Sequence, residues 1–158
     1  MGIFAIDPGN INSAYVFYDS ETKMPGSYGI VENGKLLNIL NQCSRSSTFL
    51  AIEMIASYGM PVGKSVFDTC VWIGRFIQWW NNDETYRLIY RQNEKMLLCN
   101  SMRAKDGNIR QAIIDRYEPT GGGKIPQIGT KKQPGPLYGI SKDVWSALAV
   151  AITAAETV

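Results

Sequence analysis

Gly2-Ile3-Phe4-Ala5-Ile6-Asp7-Pro8-Gly9, answered by Ala14-Tyr15-Val16-Phe17-Tyr18, is the stretch on which the reading of this chain turns. A short apolar run over residues 3–6 predicts a buried strand, and it delivers one acid straight into a Pro-Gly turn. A second apolar run follows at once over residues 14–18. Taken alone, Asp7 is a turn former, a role Asp fills well. A carboxylate held at a rigid strand end also suits a metal ion beside a phosphate, and the rest of the chain decides between these readings.

The pattern recurs. Thr48-Phe49-Leu50-Ala51-Ile52-Glu53 is again a short apolar run ending on one acid. Before it, residues 28–31 predict a third strand, with Asn33-Gly34 as a hairpin turn into Lys35-Leu36-Leu37. Residues 38–47 read as a short helix or loop. After a Gly- and Pro-broken stretch, "SVFDTCVWIGRFIQWW" predicts the most regular helix. Val66, Cys70, Ile73, Ile77 and Trp80 form one stripe along it, and Trp72, Phe76 and Trp79 a second. One stripe should face the sheet; the two together fit either a helix sandwiched in the core or one that also meets a partner subunit. Residues 85–91 read as a strand, 93–100 as a helix, and 106–117 as a helix that Asp106 caps and Pro119 ends. Residues 120–139 are rich in Gly and Pro with three lysines and no acid, and read as a flexible basic loop. The last helix spans 141–156, with Ser141 as N-cap and Asp143 in its first turn. Strands first and helices interleaved later predict an α/β fold in a single domain over residues 1–158.

Composition narrows the chemistry. The chain has no histidine, which removes Ser-His and Cys-His nucleophiles and His-held zinc. Three cysteines, Cys43, Cys70 and Cys99, show no CxxC spacing and read as small buried hydrophobes in a reducing compartment. No stretch is long and apolar enough for a membrane span. The N-terminus has no signal-peptide pattern, so a cytoplasmic protein is expected. Residues 1–84 carry five basic and eight acidic side chains, residues 85–158 eleven and six. An uneven charge distribution alone is a solvated surface; beside an acid cluster it is a side that faces phosphate.

Asp7, Glu53 and Asp143 therefore stand in comparable positions, two at strand ends and one at a helix start. Sites in open α/β sheets gather there. Each acid alone has a structural explanation: turn, sheet edge, helix dipole. Together they would repel one another unless a cation joined them. Without His or Cys in the set, that cation is hard, Mg²⁺ or Mn²⁺. Two such ions roughly 4 Å apart promote phosphodiester hydrolysis.

Several segments resemble one family in order along the chain. "AIDPGNINSAYVFYD" resembles the first motif of the RuvC-type Holliday junction resolvases, which have a ribonuclease H-like fold, and "FLAIEMI" their second acidic motif. "GKSVFDTCVWIGRF" is similar to their dimer-forming, junction-contacting helix, and "SKDVWSALAVAI" to their last acidic helix. "RAKDGNIRQAIIDRY" resembles the phage-borne branch. The resemblance implies a mixed five-stranded sheet with helices on both faces and Mg²⁺ or Mn²⁺, two ions per site. It also implies a homodimer that resolves four-way junctions and forks in DNA by paired nicks. Asp7, Glu53 and Asp143 would be metal ligands, and Lys105 would contact the scissile phosphate, with Lys95 its alternative. The family places a second carboxylate, or a His-Asp pair, three residues apart on the last helix. Here that spacing falls on Ser146, whose hydroxyl is a weaker ligand. Phosphate contacts are expected from Lys64, Arg75, Lys95, Arg103, Arg110, Lys124, Lys131, Lys132 and Lys142. The dimer interface is expected along Val66, Cys70, Ile73, Ile77 and Trp80, with Tyr58, Phe67 and Trp72 near opened bases. Two other readings stand beside the nuclease: an inert binder of branched DNA, motivated by Ser146, and one lobe of an actin- or sugar-kinase-like ATPase, motivated by Asp7-Pro8-Gly9.

Overall fold

A computed structural model describes residues 1–157 of the chain. The strands are β1 (Gly2–Asp7), β2 (Asn12–Asp19), β3 (Met24–Glu32), β4 (Thr48–Met54) and β5 (Tyr86–Tyr90). The helices are α1 (Asn33–Asn41), α2 (Lys64–Trp80), α3 (Arg91–Cys99), α4 (Asp106–Ile114) and α5 (Val144–Thr157). The strands form one mixed sheet in the order β3-β2-β1-β4-β5. The first three strands pair antiparallel, while β1 with β4 and β4 with β5 are parallel. This is the expected α/β architecture, with helices on both faces. Among the described residues no helix is long and apolar enough to cross a membrane.

Side chains alternate across a strand, and both central strands use both faces. Phe4, Ile6, Leu50 and Ile52 enter one core, which α1 and α2 close with Leu36, Leu40, Ile73, Phe76 and Trp80. Ile3, Ala5, Phe49 and Ala51 enter the other, which α4 and α5 close. The small residues Ala5, Ala14 and Ala51 meet an alanine-rich α5, so helix and sheet backbones approach closely. From Val144 to Ala154 only Ser146 in α5 escapes burial.

Four local expectations are corrected. Asn33-Gly34 opens α1 and makes no hairpin; the hairpin lies one strand earlier, where Asp19 pairs with Met24. Leu36, Leu37 and Leu40 need helical spacing to reach the core together, and the Asn33 side chain is engaged in tertiary hydrogen bonds. The strand ending at residue 91 stops at Tyr90, because Arg91 begins α3. Residues 120–139 are braced. Gly121 N–H donates to Pro126 O, Gly122 N–H to Gln133 O and Gly135 N–H to Ile128 O, each at 2.9 Å, and Leu137 is fully buried. Gly121 has no room for a side chain, since a Cβ there would lie 2.7 Å from the Gln133 carbonyl oxygen. The glycines thus permit close packing of the loop on itself. The three cysteines are half-buried free thiols rather than core residues.

The stripe assigned to a partner subunit also divides. On α2, Ile73 and Trp80 point into the chain's own core together with Thr69 and Phe76, so they are not interface residues. Val66, Cys70 and Ile77 are half-buried beside them. The outward apolar residues are Phe67 and Val71, 61% and 62% exposed.

Candidate active site

Strand register builds the site. Ile6 of β1 lies beside Ile52 of β4 in parallel, so the next residues, Asp7 and Glu53, end neighbouring strands at the same level. By alternation both project to the face covered by α5, as Ala5 and Ala51 do. Their carboxyl groups are within hydrogen-bond reach of each other.

The turn after Asp7 is held from below. Ser13 Oγ accepts from Gly9 N–H at 3.1 Å and donates to Asn33 Oδ1 at 2.6 Å. Asn33 Nδ2 donates to Gly9 O at 2.9 Å. Both Ser13 and Asn33 are buried, so this polar network is satisfied and rigid. A Cβ on Gly9 would collide with the Asn12 carbonyl oxygen. Gly9→Ala is therefore expected to lower stability by about 1–3 kcal/mol in urea unfolding, through overpacking of the turn.

Asp143 reaches the site from the other layer. Lys142 adopts a left-handed backbone, φ 51°, and turns the chain so that Asp143 immediately precedes α5 rather than standing within its first turn. Asp143 is exposed. Burial, then the charges of Glu53 and Asp143, push the Asp7 carboxyl up to about 8. Burial also raises Glu53, opposed by the guanidinium of Arg91. Glu53 and Asp143 thus both act on Asp7.

Two residues that sequence reasoning missed join them. Arg91 opens α3, and its guanidinium pairs with Glu94 at 3.2 Å and with Asp106. Glu94 is buried, and burial followed by the Glu53 charge raises it to about 8. Glu94 sits in an otherwise polar run, RQNEK, and no signal in the sequence marks it as internal. Beside these acids opens a cavity of about 300 Å³ lined by Arg91, Asp106, Arg110, Lys142, Asp143 and Ser146. Arg110 stacks on the Trp145 ring, 4.9 Å from its centroid. A second cavity, of about 330 Å³, lies at the opposite end of the sheet around Tyr18 and Tyr117 and holds none of the expected residues.

The remaining expected residues are spread around this centre. Lys105 is the exposed N-cap of α4, next to Asp106, and Arg103 lies just before it. Lys95 is half-buried on α3. Lys64 and Arg75 lie on α2, Lys64 paired with Asp68 at 2.6 Å and Arg75 stacked on Trp72 at 3.9 Å. Lys124, Lys131 and Lys132 are exposed on the braced loop. Ser146 lines the cavity.

The donors at the centre are carboxylate oxygens, the kind that hard divalent cations take. Asp7 and Glu53 at hydrogen-bond reach need a shared proton or a cation between them. Among the described residues no three acids stand close enough together to hold a metal ion as they lie; Asp7 and Glu53 offer a partly buried pair of carboxylates, the donor chemistry that a divalent cation takes.

No protein-family model matches the chain. No curated protein matches it either. Solved structures do. Thermus thermophilus RuvC is 16% identical, with 97% of this chain and 92% of that one covered, at a TM-score of 0.68. T. thermophilus RuvC in complex with a Holliday junction substrate is 13% identical over the same shares, at 0.66. Sheet order, helix layers and these likenesses agree: the chain has a RuvC-type fold.

Proposed function

We propose that the chain is a structure-selective endonuclease that cleaves branched DNA, four-way junctions and forks above all, by divalent-metal-dependent phosphodiester hydrolysis. The observation that carries this reading is the meeting of Asp7 and Glu53 at two adjacent strand ends with Asp143 opposite, beside a groove bearing Arg110 and Lys142. Mg²⁺ or Mn²⁺, when bound, supplies Lewis acidity toward water and the scissile phosphate. Asp7, Glu53 and Asp143 hold the metal. Arg110 is pre-positioned by stacking on Trp145, so its guanidinium meets backbone phosphate with little loss of rotamer freedom. Lys142 stands at the mouth, and Lys105 offsets charge at the rim. The exposed lysines of the braced loop bind backbone without reading sequence, which makes branch shape the selected feature.

The test is incubation of labelled four-way junction and matched linear duplex with Mg²⁺, Mn²⁺ or EDTA. Paired, metal-dependent nicks on the junction alone are the expected result. Junction binding with no nicks under either metal would make the protein the inert binder that Ser146 suggests.

Paired nicks need two centres, and the reading includes a homodimer. Its support is the unpartnered face of α2, where Phe67 and Val71 stand open one helical turn apart; Tyr58 and Met60 of the preceding loop are exposed as well. Large apolar side chains left open on one helix face suit an interaction surface. Phe67→Asp is expected to shift the sedimenting species from dimer toward monomer with the melting profile of the fold kept. An unchanged mass would remove this face from the interface.

A further inference from the structure

Glu94 lies outside the expected site, yet it is the acid most removed from water. Its side chain has 0% exposure. Oε2 accepts from Arg91, while Oε1 has no hydrogen-bond partner at all. A buried carboxylate with one orphaned oxygen is costly, and a position serving only the core would carry an aliphatic side chain. The orphan therefore calls for a ligand.

Topology places it beside the strand ends that carry Asp7 and Glu53. β5 runs parallel to β4 with Ile89 beside Glu53, and α3 starts directly after β5. The first turn of α3 thus sits just beyond the Glu53 strand end. The groups facing Glu94 are Glu53 from β4, Asp7 from β1 and Arg91 from its own helix. Arg91 also reaches Asp106 of α4, so a single guanidinium is the cation of the whole cluster. On α5 the position three residues after Asp143 is Ser146, which lines the cavity that Arg91, Asp106 and Asp143 also line but brings no charge. Asp7, Glu53 and Asp143 bring three negative charges against the four positive charges of two divalent cations, and Glu94 adds the fourth carboxylate.

We propose that Glu94 is a metal ligand of this site, delivered by α3 in place of an acid at Ser146, and held by Arg91 until a divalent cation replaces that guanidinium. The proposal rests on the metal-dependent reading above and adds a residue to it.

The experiment is calorimetric titration of Mn²⁺ into the chelator-stripped full chain, with no DNA and no activity readout. The proteins are wild type, Glu94→Gln, Glu94→Leu, Asp7→Asn and the double variant Glu94→Gln with Ser146→Asp. Melting in EDTA reports folding for each, and Glu94→Leu fills the buried volume should the amide fail to fold. Loss of one Mn²⁺ equivalent, or affinity weakened beyond the roughly 10–100-fold of a lost outer-shell partner, is expected for both Glu94 variants. Ser146→Asp should restore it. Wild-type Mn²⁺ binding in both Glu94 variants, with Asp7→Asn impaired, overturns the proposal and leaves the nuclease reading standing. Loss without rescue overturns the exchange with Ser146. A wild-type chain that takes up no Mn²⁺ overturns both the proposal and the metal-dependent reading.

Discussion

Asp7→Asn is expected to reduce metal-dependent nicking of a four-way junction by on the order of 10³-fold, equivalent to about 4 kcal/mol of lost transition-state stabilisation. Junction affinity should stay near that of wild type, because the cations expected to meet phosphate, Arg110, Lys142 and the loop lysines, are untouched. A denaturing gel reads the first quantity and a mobility shift in EDTA the second. The same variant should melt higher than wild type in EDTA. Burial and the charges of Glu53 and Asp143 raise Asp7 to about 8, so the folded chain holds a proton there that the unfolded chain has released above the usual carboxylate range. Stability of the metal-free wild type therefore falls as pH rises from about 4 through 8, and the gap to Asp7→Asn widens over that window. Loss of junction binding together with cleavage would make Asp7 a structural residue and sink its assignment as a ligand.

Trp80→Ala is expected to cost about 3–5 kcal/mol of folding stability, as large-to-small core changes do. The Trp80 ring is 1% exposed. Its Nε1 donates to Thr85 Oγ1 at 3.0 Å, and Arg45 stacks 4.5 Å from the ring centroid while bonding the Trp80 carbonyl. Removing the ring leaves a cavity, takes the donor from Thr85 Oγ1 and strips Arg45 of its stacking surface, although Arg45 keeps its bonds to backbone carbonyls. Urea unfolding at two protein concentrations separates this from an interface role. A loss independent of concentration is expected; a loss that vanishes at high concentration would return Trp80 to a subunit boundary. Phe67→Ala, on the exposed side of the same helix, should move monomer stability by less than about 0.5 kcal/mol.

The contrast between Trp80 and Phe67 shows where sequence reading runs out. A helix with apolar residues all round reveals its period but not its phase, because two stripes of equal strength cannot be ranked without the sheet beneath them. Asn33-Gly34 misleads for a related reason. Its local turn preference is real, but Asn33 is needed by Ser13 and Gly9, and three leucines in helical spacing outweigh it. The braced loop reads as flexible because glycine serves both freedom and close packing, and only the contacts at Gly121 separate the two. Glu94 is hidden by polar neighbours. By contrast Asp7 and Glu53 were legible as strand-end acids, since an apolar run ending on one acid states both burial and strand end; that the two ends align comes from the parallel register of β1 with β4. Asp143 was legible as a helix-start acid, one position off in its helix register.

The burial of α5 carries a consequence for how such a protein can change. This helix touches every strand of the sheet as well as α3 and α4, and it has almost no surface of its own. Asp143 is attached to its first turn. A substitution that enlarges Ala147, Ala149 or Ala151 shifts the helix, and the carboxylate moves with it. In this layer, tolerance to heat and precision of chemistry are drawn from the same side chains and cannot be adjusted one at a time. In the layer of α1 and α2 the tie to the site is the single side chain of Asn33, which holds Gly9, so adaptation of stability has more room on that side of the sheet.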